Sequence, residues 1–150
     1  AALGMFLMVA GLQGFRNSMP GGQGSDYVAM GVLIATLSAA FGLGEIALTI
    51  VAGDVGATGN GPVAMTIYLA GNGIGALSTA GIFLGFAVIG LGVYIEKNYN
   101  RILAILLLAS GLFGLGLSLY DYGNQLIGIA YLVMTLSVTS IGSSILRSSD

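Results

Sequence analysis

The run from Tyr27 to Ala52 holds one charged side chain, Glu45, in an otherwise apolar stretch. An apolar run longer than about 20 residues is long enough to cross a bilayer as a helix. Read every three or four residues, it presents Gly31, Ala35, Ser38, Gly42, Glu45, Thr49 and Ala52. Every member of that edge except Glu45 is small, while Met30, Ile34, Leu37, Phe41 and Leu48 put bulk on the other faces. Small side chains let helix backbones approach closely, so this edge is expected to be a seam against another helix.

Composition extends the reading to the whole chain. Only 7% of its 150 residues are charged and 56% are hydrophobic, whereas a soluble domain carries about 25% charged residues. That charge cannot cover a water-facing surface, so lipid is the expected solvent and helices must satisfy their own backbones. The fold class expected is an all-α, polytopic transmembrane helix bundle forming one domain. Its five expected spans cover residues 1–15, 27–52, 63–95, 101–119 and 126–146. The first is short and reads as the end of a span that begins upstream. Arg16 to Asp26 and Gly53 to Gly61 read as loops, with Ser25 or Asp26 capping the second span and Pro62 in the first turn of the third. Gly71-Asn72-Gly73 is the expected break in the long third run, and Asn124 can cap the fifth.

Glycines and other small residues recur every seven positions in later spans: Gly71, Ser78, Gly85 and Gly92, then Ala104, Gly111 and Ser118 with Gly114 between, then Gly128, Thr135 and Gly142. Gly81 and Gly85 also form a GxxxG pair. A seven-residue period predicts left-handed packing of neighbouring helices near +20°.

All four basic residues fall on one side of this five-span plan: Arg16 in the first loop, Lys97 and Arg101 in the third, Arg147 in the tail. The positive-inside rule makes that side, and the C-terminus, cytoplasmic. Tyr27, Tyr94, Tyr99, Tyr120 and Tyr122 stand at segment ends, as interfacial aromatics do. A prokaryotic plasma or internal membrane is the expected location.

Much chemistry is excluded. The chain has no Cys and no His, which removes disulfides, thiol chemistry, histidine metal sites and the familiar hydrolase triad. Four basic residues make no nucleic-acid surface. Gly71-Asn72-Gly73-Ile74-Gly75-Ala76 matches G-x-G-x-x-A, but a dinucleotide site needs a βαβ unit, and apolar helix continues to Ile95. No metal, nucleotide or catalytic residue is expected, although a lipid, quinone or pigment fits such helix grooves.

Glu45 is the one acid well inside an apolar run. In hydrocarbon a carboxyl group without a basic partner favours its neutral form and seeks a hydrogen bond. Asn72, at similar depth on the next helix, and Ser38 and Thr49 on its own are the expected partners. Intramembrane acids mark proton and ion paths, yet one acid without a chain of partners makes a poor wire. The favoured reading is a polar clasp in a small accessory or structural subunit of a larger membrane complex. The alternative is a small transporter, channel or sensor working through Glu45.

Gly44-Glu45-Ile46-Ala47, and the stretch Gly90-Leu91-Gly92-Val93-Tyr94 followed by Arg101-Ile102-Leu103 and Gly111-Leu112-Phe113-Gly114, resemble a family of multi-spanning bacterial membrane proteins known only as a domain of unknown function. Members usually have six helices and tend to carry arginine three residues before the glutamate, where this chain has Gly42. The resemblance implies a further upstream helix and no known activity.

Overall fold

The computed structural model describes residues 2–19, 21–97 and 99–148, with side chains as far as Ser144. Five helices follow one another: α1 (Ala2–Asn17), α2 (Gln23–Ala57), α3 (Gly61–Glu96), α4 (Arg101–Tyr120) and α5 (Leu126–Ser148). Four of them, α2 to α5, are long and apolar enough to cross a membrane. The 16 residues of α1 reach only about 24 Å. Leu33, Ile102, Leu119 and Leu132 are exposed, a surface that lipid accepts.

The two long helices exceed their expected lengths. α2 begins at Gln23 and ends at Ala57, so both flanking loops shrink and Asp54 lies on the helix. Glycine costs a helix about 1 kcal/mol in isolation, which is why Gly53 to Gly61 reads as a loop. Here the two helices stay in contact to the tip, where a methyl on Gly56 would sit 3.7 Å from the Ala64 Cβ. Neither Ser25 nor Asp26 caps α2; Gly22 holds that position without a side-chain bond. α3 also runs unbroken through Gly71-Asn72-Gly73, because Gly71 and Gly75 pack against α2 rather than opening a turn.

The turns are tight. Gly59 takes the left-handed conformation (φ +84°) before Pro62 opens α3. Asn100, unforeseen in sequence, caps α4 by accepting from the Ile102 amide at 2.9 Å. Asn124 accepts from the Leu126 amide at 3.0 Å and starts α5 as expected.

α3 is the central helix and carries most of the buried side chains, among them Ile82, Phe83, Phe86, Ile89 and Val93. It contacts α2 and α4 along most of their shared length. Each seven-residue step along α2 meets a seven-residue step back along α3. A methyl on Gly24 would lie 2.5 Å from the Gly92 carbonyl oxygen, and one on Gly31 would lie 2.5 Å from that of Gly85. One seven-residue step further on, the Ser78 hydroxyl donates to the Ser38 carbonyl at 2.7 Å. These are backbone-to-backbone contacts, available only to residues without bulk. The other face of α3 meets α4 in the same way: a methyl on Gly90 would lie 2.6 Å from the Leu108 nitrogen, and one on Gly111 would lie 2.7 Å from the Phe83 carbonyl oxygen. Gly114 makes room for the Phe83 ring.

The α5 stripe behaves differently. Gly128 and Thr135 are exposed, and a methyl on Gly128 or Gly142 would meet open space. α5 instead buries Ile127, Ala130, Met134, Ser137 and Ile141. An apolar helix face with one larger residue per turn suits this shallower contact, so the seven-residue glycine spacing there is incidental.

Candidate functional site

α2 carries Glu45 to the level where α4 ends. Its carboxyl group lies in the space left by Gly75 on α3, where any side chain would collide with it. Tyr122, in the turn between α4 and α5, donates its phenol to Glu45 Oε1 at 3.1 Å. The Thr79 hydroxyl on α3 adjoins both that phenol and the phenol of Tyr131 on α5. The Tyr131 ring packs against Phe83 with centroids 4.6 Å apart. Four elements therefore meet through one small polar cluster.

Burial pushes the Tyr122 phenol above its ordinary value; the Thr79 hydroxyl opposes this and Glu45 adds to it. Tyr122 accordingly remains a hydrogen-bond donor through neutral pH.

The expected partners are placed elsewhere. Asn72 is half-buried and makes no hydrogen bond to Glu45 among the described residues. It lies three residues before Gly75, nearly a full helical turn beyond the point that faces the carboxyl. Ser38 sits over Gly81 and its carbonyl serves Ser78. Thr49 is exposed. Tyr122, Thr79 and Tyr131 were not foreseen as a group. Only Tyr122 carried a signal, as a segment-end aromatic, because their meeting depends on how α4 and α5 fold back.

Gly31, Gly42, Gly71, Gly81, Gly85, Gly92, Gly111 and Gly114 each face a neighbouring helix closely. Gly42 receives Met5 of α1 as well as Ser78.

Below the cluster most buried hydroxyls are satisfied, and only Thr36 is buried without a partner among the described residues. The hydroxyls of Ser110, Ser118 and Ser137 each donate to a carbonyl of their own helix. Phe83, Phe86 and Ile89 fill the space between. No group of three or more acids lies close enough to hold a metal among the described residues.

The opposite end of the bundle gathers the basic residues. Phe15, beside Arg16, packs on Tyr99 with ring centroids 5.9 Å apart, and Lys97 and Arg101 line one recess with Tyr99. Arg101 donates to the Tyr94 hydroxyl and lies over that ring, 4.6 Å from its centroid. The Arg147 side chain lies outside the described side chains, although the α5 backbone runs toward the same end.

Comparison with family models, with curated proteins and with solved structures gives no significant match to this chain.

Proposed function

We propose that this chain is a small structural or accessory subunit of a larger membrane assembly, and that the far end of the α2–α3 hairpin docks it. The observation that carries this reading is an uncovered apolar arm. α4 has 20 residues, about 30 Å, which matches the hydrocarbon thickness. Polar turns stand at both its ends, Glu96 to Arg101 and Asp121 to Gln125. The level of the second turn is the level of Glu45. From Glu45 to the end of α2 at Ala57, the hairpin extends about 18 Å further.

Beyond that level only Ala52 and Gly71 are buried, up to Ile74. Ile50, Val51, Val63, Met65, Tyr68 and Leu69 are all exposed, and Asp54 is the one charge. Contiguous apolar surface outside a bilayer marks a protein–protein contact. The Glu45–Tyr122 bond then serves as a clasp that holds the α4–α5 turn against the base of the arm. Beneath it Ser110, Ser118 and Ser137 bond their own helices, and Thr36 is a single unpartnered buried hydroxyl among the described residues rather than part of a chain of polar groups, which favours the clasp over a transporter, channel or sensor working through Glu45. The basic end would face the cytoplasm and the arm the opposite side.

The test is affinity purification from native membranes in mild detergent. The expected result is stoichiometric recovery with larger membrane proteins, lost on Leu69→Glu while the variant chain still folds. A monomer whose Glu45→Gln variant abolishes proton or ion flux in vesicles would replace this reading with the transporter one.

A further inference from the structure

We infer that the basic end of the bundle binds one anionic glycerophospholipid, its phosphate on Lys97 and Arg101 and one acyl chain in the cleft behind α1. Two separate features meet there. The first is a cleft of about 600 Å³ between α1 and the α3–α5 helices, lined by Leu12, Phe15, Phe86, Ile89, Leu107 and Ile141. Ser18 is its one polar lining residue, at the basic end. Its length follows α1 from Leu7 to Ser18, about 16 Å, which suits an extended hydrocarbon chain better than a compact ligand.

The second feature is the recess formed by Val93, Tyr94, Lys97, Tyr99 and Arg101. Lys97 ends α3 in a left-handed conformation (φ +60°) and is exposed. Arg101 is held by Tyr94, which occupies one of its five N–H donors and leaves the others available. Neither cation has an ion-pair partner among the described residues. The neighbouring acid, Glu96, lies against Gly22 and Gly24 on the α2 side. Phe15 lines the cleft and packs at a tilt against Tyr99, which lines the recess. A lipid whose glycerol crosses that ring pair places a chain on one side and a phosphate on the other. Basic pockets between helix ends recognise anionic headgroups on these terms, and charge complementarity selects the anionic class over zwitterionic lipid.

The test is native mass spectrometry of the full chain released from vesicles of equal phosphatidylglycerol and phosphatidylcholine. The expected result is one phosphatidylglycerol retained per chain, preferred on the order of tenfold, the scale of two cations near an anionic surface. Lys97→Gln with Arg101→Gln should remove the preference. Gly11→Leu, which turns a side chain into open space beside the cleft, should remove retention with both cations intact. Equal retention of the two lipids, or an unchanged preference in the double variant, would overturn the assignment. Full retention in Gly11→Leu would overturn it too, by showing a headgroup-only or free-phosphate site.

Discussion

The two ends of the α2–α3 hairpin are built from similar residues and meet opposite fates. Toward the basic end, Gly24, Gly31, Gly85 and Gly92 bring the two backbones into contact, and α1, α4 and α5 cover much of what remains. Toward the tip, Gly53, Gly56, Gly59 and Gly61 are just as frequent, yet all are exposed and three of them face open space. The difference is not in helix propensity, since apart from Gly59 in the turn all of these glycines lie in continuous helix. It lies in what stands opposite each glycine. Small residues act as a seam only where a second backbone runs in register with them.

The sharpest contrast comes from lengthening one glycine in each half. Gly31→Leu drives a side chain into the Gly85 carbonyl and the Ile89 backbone, where even a methyl would come within 2.8 Å. Overpacking of this kind costs on the order of 3 kcal/mol, and the thermal midpoint in detergent should fall steeply. Gly53→Leu meets nothing within 4 Å and should leave the midpoint nearly unchanged. Equal losses in the two variants would mean that the seam is no tighter than the tip.

A second experiment asks whether the arm stands outside the hydrocarbon. The chain contains no cysteine, so single introduced thiols report without background. Thr66→Cys on the arm should react with a membrane-impermeant maleimide when the chain alone is in vesicles. Leu112→Cys, exposed on α4, should stay unlabelled because lipid covers it. The labelling rates should differ by more than tenfold. Protection of Leu69→Cys in native membranes, but not in vesicles of the chain alone, would place a partner on the arm.

The clasp at the boundary between the halves should be worth less. Glu45→Ala and Tyr122→Phe each remove one side of a hydrogen bond, and polar contacts between membrane helices couple by about 0.6 kcal/mol, rarely beyond 1.7. A double-mutant cycle on the thermal midpoint should return coupling of about 1 kcal/mol, whereas Glu45→Gln, whose amide oxygen still accepts from Tyr122, should lose little. Coupling indistinguishable from zero would leave the α4–α5 turn held by packing alone.

Much of this was legible in the residues themselves. The span pattern follows from apolar runs broken by charges, and the seam follows from small residues seven apart. Both signals are local, so sequence carries them. The grouping of Arg16, Lys97 and Arg101 at one end also followed, because alternating spans settle which loops share a side. What escaped was whatever depends on the lengths of neighbours. Asn72 looked like the partner of Glu45 when depth was counted from the helix ends. Tyr122 took that place because α4 is short enough to bring its turn down to Glu45. The arm was hidden for the same reason: residues 46–52 and 63–70 read as the ends of ordinary spans joined by a loop, and only the shorter α4 and α5 leave them uncovered.

The smallest effect tests the seam rule from its failing side. Gly128 belongs to a seven-residue series with Thr135 and Gly142 as regular as that on α2, but it is exposed and a methyl there meets nothing within 4 Å. With no opposing backbone, Gly128→Ala adds no clash and removes the conformational freedom that glycine loses on folding. The variant should be more stable by about 0.5 kcal/mol, read as a small rise in thermal midpoint. The same change at Gly111, where the methyl would press on the Phe83 carbonyl at 2.7 Å, should instead lower it. Opposite signs for one chemical change on adjacent helices would show that register against a partner, rather than the spacing of glycines, makes a seam. A fall in stability at Gly128 would mean that α5 has a close neighbour, and a second copy or a partner helix would then have to lie against that face.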